Sequence, residues 1–96
     1  MLVHIVMAKL KDSSPEHIAE TRDLIMGLEG KVPTLKHIEV GIDVTRNPKR
    51  SYDLVLYSHF DSAEDLEAYQ VHPVHQEIGG EFVSRAADVV VVDYVR

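Results

Sequence analysis

The densest group of potentially reactive side chains is the run Tyr69-Gln70-Val71-His72-Pro73-Val74-His75. A phenol and an imidazole that face one pocket can hold an enolate and move a proton, which is acid–base chemistry that needs no cofactor. Tyr69 and His75 are therefore the candidate catalytic pair. The same two groups can instead satisfy each other through a buried hydrogen bond, a common structural arrangement. His72 and His75 also have the H-x-x-H spacing of a metal pair, to which His4 could add a third ligand. Pro73 stands between them, however, so His72 falls before the next helix and points elsewhere. Its expected role is to bond the backbone at the break, and neither a metal nor a cofactor is expected.

The elements that position this run are legible in the residues before and after it. Asp61 or Ser62 caps a helix, Glu64 or Asp65 is its reciprocal partner, and acidic residues in the first turn suit the positive helix end. Leu66 and Tyr69 share one face of this helix. Pro73 interrupts the hydrogen-bond ladder because it has no N–H, and it reads as the first residue of a second helix. His75 then lies in the first turn of that helix, where the dipole favours neutral imidazole. The second helix is expected to continue through Ile78 and Phe82, although Gly79-Gly80 weaken it locally.

The remaining segments alternate between strand and helix patterns. Leu2 to Leu10 is apolar at nearly every position and reads as a strand buried on both faces. Ser13 or Ser14, with Pro15 and Glu16, starts a helix whose buried stripe is Ile18, Thr21, Ile25 and Leu28, widened by Leu24; Gly30 is expected to end it. Ile38, Val40, Ile42 and Val44 alternate with polar neighbours, as in an edge strand with one buried face. Arg46 to Ser51 is a turn-forming loop whose three cations read as solvated charges rather than an anion site. Tyr52 to Phe60 is a third strand, and Ala87 to Val95, rich in valine, reads as a central or interface strand. His17, His37 and His59 have no partners at informative spacing and are assigned to the surface or an interface.

The 96 residues make one domain, 1–96, with no cysteine for disulfide or thiolate chemistry. A formal charge of −6 argues against nucleic acid as a partner. No apolar run approaches the roughly twenty residues of a membrane span. The first residues lack the pattern of a signal peptide, so a soluble cytoplasmic protein is expected. The order β-α-β-β-α-β points to an α+β, ferredoxin-like fold with a four-stranded antiparallel sheet and helices on one face. The other face would then expose Val3, Ile5, Met7, Val55, Tyr57, Val90 and Val92, or the residues that alternate with them, too large an apolar patch for a monomer. A second copy packed sheet to sheet, a two-fold homodimer with a barrel-like core, would cover it, with Tyr57 and Tyr94 inside.

Over its whole length the chain resembles the stress-responsive A/B barrel (Dabb) family of the dimeric α+β barrel superfamily. The likeness rests on His4-Ile5-Val6, Val32-Pro33-x-Leu35, Val40-Gly41, Tyr52-Asp53, Phe60-x-Ser62, Tyr69-x-x-His72-Pro73-x-His75 and Val92-Asp93-Tyr94. The resemblance implies a homodimer with a pocket between sheet and helices in each subunit, able to take a small organic ligand. Plant polyketide cyclases of this family use a tyrosine and a histidine in the motif for a cofactor-free aldol condensation. The matching residues are Tyr69 and His75, with His4 and Asp93 facing the pocket and Val6, Ile25, Leu56 and Ser58 as further substrate-binding candidates. Where the cyclases carry aromatic side chains in the first helix, this chain has Thr21, Arg22 and Ile25. The readings that remain open are a cyclase-type proton-transfer enzyme, a non-enzymatic stress-response dimer, and a cofactor-free monooxygenase suggested by fold alone.

Overall fold

The computed structural model describes residues 1–96, which form β1 (Leu2–Leu10), α1 (Pro15–Met26), β2 (His37–Ile42), β3 (Leu54–Phe60), α2 (Ala63–Val71), α3 (Pro73–Arg85) and β4 (Ala86–Val95). The strands lie in the order β2-β3-β1-β4, each antiparallel to its neighbour, so the sheet is ferredoxin-like as expected. No helix is long and apolar enough to cross a membrane.

Local signals account for the helix starts. Ser14 caps α1 by accepting from the His17 N–H, with Pro15 in the first helical position. Ser62 caps α2 by accepting from the Asp65 N–H at 3.2 Å. The end of α1 differs from expectation. The helix stops at Met26, and Gly27 closes it through bonds to the Asp23 and Leu24 carbonyls. The following turns carry Leu28 and Val32 into the core, and Gly30 serves there at φ +73°, a conformation that favours glycine.

On the helix-facing side of the sheet, Leu2, His4, Val6 and Ala8 of β1 lie in register with Phe60, Ser58, Leu56 and Leu54 of β3. Ile18 and Ile25 of α1, Leu66 and Tyr69 of α2, and Phe82 of α3 pack on them in one core. Burial of each such side chain contributes about 1.5–3 kcal/mol. β3 begins at Leu54 rather than Tyr52 because Asp53 has another task. Its buried carboxylate accepts the Leu10 N–H at 2.7 Å and pairs with Arg46 at 2.9 Å, tying the β2–β3 loop to the end of β1.

β2 lies at one edge of the sheet, as its polar face suggested, and the valine-rich β4 lies at the other. β4 is not a central strand, and it is exposed along nearly its whole length. On the outer face Met7, Val90, Val92 and Tyr94 are exposed, whereas Ile5, Val55 and Tyr57 are half-buried. Val3, expected to be exposed there, is fully buried; its register partners His59 and Tyr94 are larger side chains on either side of it. His37 and His59 are also not isolated. Their ring centroids are 5.1 Å apart, Arg96 donates to the Tyr57 hydroxyl at 2.7 Å, and that hydroxyl is hydrogen-bonded to His59 Nε2 at 2.6 Å. Desolvation by this cluster, then the charges of His37 and Arg96, hold His59 below its ordinary imidazole value.

Removing the Asp53 carboxylate tests how far this anchor supports the sheet. Asp53→Ala leaves the Leu10 N–H without its acceptor and Arg46 without its partner, so urea denaturation should show a loss of about 1–3 kcal/mol. A loss below about 0.5 kcal/mol would show that water replaces both contacts.

Candidate functional site

A cavity of about 520 Å³ opens between α3, the end of α2 and the inner face of β1 and β4. Tyr69 projects from α2 as a fully buried side chain among Phe60 at 4.9 Å, His4 at 6.4 Å and His75 at 4.3 Å between ring centroids. Burial pushes its phenol up to about 12, so it stays protonated and can act only as a neutral donor or acceptor. Tyr69 and His75 meet ring to ring. The polar atom that His75 engages is not the phenol but a backbone carbonyl.

That carbonyl belongs to Gln70. His75 Nδ1 lies 3.1 Å from it, and because a carbonyl can only accept, Nδ1 carries the proton. In the neutral ring Nε2 is then a free lone pair. Desolvation lowers the basicity of His75 and nearby His4 adds to that, against an opposing contribution from the Gln70 carbonyl. Its imidazole is thus mostly neutral at pH 7, in the form a general base requires.

His4 is held from β4. Its Nδ1 bonds Asp93 Oδ1, its register partner across the β1–β4 pair, which fixes the ring with Nε2 free. His4 itself is almost wholly buried, whereas the Asp93 side chain is 40% exposed. His72 sits at the helix break, where its Nδ1 accepts the Val74 N–H at 3.1 Å, the backbone role expected of it.

Of the residues singled out in the sequence, His4, Val6, Leu56, Tyr69 and His75 line the cavity. Ile25, Ser58 and Asp93 do not. Ile25 is buried in the core under α1, Ser58 donates to the His4 carbonyl at 3.1 Å from a fully buried position, and Asp93 reaches the cavity only through His4. Sequence reasoning missed Gln70 and Gln76 beside the histidine, Phe82 and Val83 along α3, and Val89 and Val91 on β4. It also passed over Gly79 and Gly80 as lining residues. Two adjacent glycines inside a helix cost about 1 kcal/mol each relative to alanine, and that cost was the available signal.

The arrangement fixes how His75 should titrate. Its folded value lies below the ordinary 6.5, so the unfolded chain binds the proton more tightly. The resulting stability is present above pH 6.5 and is lost as pH falls from there through the folded value. Nitrogen and carbon NMR of the imidazole should show the Nδ1–H tautomer with a titration midpoint below 6.5. An Nε2–H tautomer would contradict the bond to Gln70, and a midpoint at or above 6.5 would contradict desolvation as the dominant influence on His75.

Residues 2–96 match the family described as the stress responsive A/B barrel domain, Dabb. A stress-response A/B barrel domain-containing protein of Arabidopsis thaliana is 32% identical over 93 residues, spanning 95% of this chain and 85% of that protein. Olivetolic acid cyclase of Cannabis sativa is 28% identical over 93 residues, spanning 95% of this chain and 92% of the cyclase. Among solved structures, a dimeric protein of unknown function and ferredoxin-like fold from Bacteroides fragilis superposes with a TM-score of 0.81 at 30% identity, covering 99% of this chain and 95% of that one. With the match running through every element of the sheet and both sides of the cavity, the chain belongs to the stress responsive A/B barrel domain family.

Proposed function

We propose that the protein binds a small carbonyl compound in this cavity and catalyses cofactor-independent proton transfer next to the carbonyl, of the kind that opens an intramolecular aldol cyclisation. The observation that carries the reading is the commitment of His75 Nδ1 to the Gln70 carbonyl, which leaves Nε2 as an unpaired base beside a protonated phenol. In the proposed step Nε2 takes a proton from the carbon next to the substrate carbonyl. The C–H electron pair moves into the new C=C bond, and the carbonyl oxygen takes the negative charge. The Tyr69 hydroxyl donates to that oxygen in an apolar setting where such a bond is strong. When the enolate carbon attacks a second carbonyl of the same molecule, a C–C bond forms and His75 returns its proton to the new alkoxide. His4, oriented by Asp93, is placed to hold a substrate oxygen. The 28% identity to olivetolic acid cyclase supports this chemistry.

Hydrogen–deuterium exchange of methyl heptyl ketone in deuterated water, followed by proton NMR, tests the reading without a known substrate. Wild type should exchange the α-protons faster than buffer. His75→Ala should lose about 10²–10⁴-fold of that rate and Tyr69→Phe about 10²-fold. Because the base form is the neutral imidazole, the rate should hold on acidification past pH 6.5 and fall only below the lowered value of His75. Exchange by wild type at the rate of His75→Ala would overturn the reading and leave His75 a structural residue.

We propose further that the protein acts as a homodimer joined through the outer sheet face. The exposed Met7, Val90, Val92 and Tyr94 support this, as does the dimeric state of the Bacteroides fragilis relative. Sedimentation at micromolar concentration should give a dimer. Val92→Asp would bury a charge in that interface and should shift the protein to monomer, with several kcal/mol of apparent stability lost. A stable folded wild-type monomer would refute the dimer.

A further inference from the structure

Nothing in the fold requires Gly79 or Gly80. Both stand in the interior of α3, where glycine is a poor helix former, and the one glycine with positive φ is Gly30. A Cβ added at Gly80 would meet no heavy atom within 4 Å. One added at Gly79 would lie 3.4 Å from Cε1 and 3.6 Å from Nε2 of His75, ordinary van der Waals contact. Alanine fits at both positions without strain, and it would make a better helix. What side chains there would change is the cavity, which both glycines line.

The two positions act on different parts of it. His75, Gly79 and Phe82 follow one another at helical spacing as one ridge of α3, and Gln76, Gly80 and Val83 form the next. A methyl group at position 79 would lie on the imidazole face beside Nε2, the atom left free by the bond to Gln70. Position 80 lies between Gln76 and Val83 on its ridge, with open space around an added Cβ, and the cavity these three line has Val89 and Val91 of β4 as its opposite wall. That wall is apolar.

We infer that Gly79 and Gly80 determine which ligands reach His75, Gly79 by leaving the imidazole face bare for a flat carbonyl group and Gly80 by leaving a passage for an apolar tail. This rests on the proposed binding of a carbonyl compound, and it adds the residues that select its shape. The probes are methyl heptyl ketone and methyl ethyl ketone, with binding followed by amide chemical shifts in full-length wild type, Gly79→Ala, Gly80→Ala and Gly80→Leu. Gly80→Leu should raise the ratio of the long-chain Kd to the short-chain Kd about tenfold or more, since a few lost methylene contacts account for such a factor. Gly80→Ala should move the ratio the same way by less, and Gly79→Ala should weaken both ketones. The Tm should rise or hold in all three, which separates lost access from lost folding. An unchanged ratio in both Gly80 variants overturns the inference. Wild type that binds both ketones yet exchanges no α-proton sinks the proposed reaction, while a shifted ratio would still uphold the inference. Wild type that binds neither ketone overturns both.

Discussion

The site depends on one interruption in the helical backbone, at His72-Pro73. In an unbroken helix the Gln70 carbonyl would accept the N–H of Val74. Here His72 is extended, with φ −65° and ψ 136°, and the Val74 N–H is taken by the His72 ring instead. Pro73 has no N–H to offer. The Gln70 carbonyl is thereby released from the ladder, and the next polar hydrogen within reach is Nδ1–H of His75. One proline and one capping histidine thus select the tautomer of a third residue and turn its Nε2 outward from the backbone. His72 remains a structural residue, yet the chemistry of His75 rests on it.

This explains why part of the site was legible in the residues and part was not. Caps and breakers act over three or four positions, so Ser14, Ser62 and Pro73 marked their helices. The alternating polar face of β2 marked an edge for the same local reason. The Gln70 carbonyl carries no sequence signal because every residue has one. The His4–Asp93 contact spans 89 positions and exists only because β1 and β4 pair in that register. Val3 proves buried, and the partners within the His37–Tyr57–His59–Arg96 cluster left no signal, for a related reason: cross-strand neighbours, not sequence neighbours, decide what covers a side chain. A run of valines fits a central strand and an exposed edge strand equally well, so composition marked β4 as a strand and only the topology placed it at the edge.

The polar groups of the cavity are held in graded environments rather than one. Tyr69 is fully buried and its phenol is pushed far above its ordinary range, whereas His75 is half-buried and pushed below its own. Desolvation is the first cause of both shifts, and each shift favours the neutral form. A neutral base and a neutral hydrogen-bond donor therefore face the same space with no net charge to draw in water or counter-ions. When a proton moves between them and a substrate, the apolar walls of Val6, Leu56 and Phe82 strengthen the interactions of the charge that results.

The same interruption also explains why there is a cavity to fill. α2 ends at Val71 and α3 restarts at Pro73, so the two helices cover the sheet in separate pieces, and Val89 and Val91 of β4 are left uncovered on the inner face. A core of this size would gain stability by closing over those valines, and larger side chains at Gly79 and Gly80 would be the direct means. The chain instead keeps a pair of poor helix-forming residues opposite the barest strand, beside the His75 imidazole, whose Nε2 is free. Two local costs, a broken helix and a glycine pair, thus converge on one empty space, and a fold shaped only for stability would have avoided both.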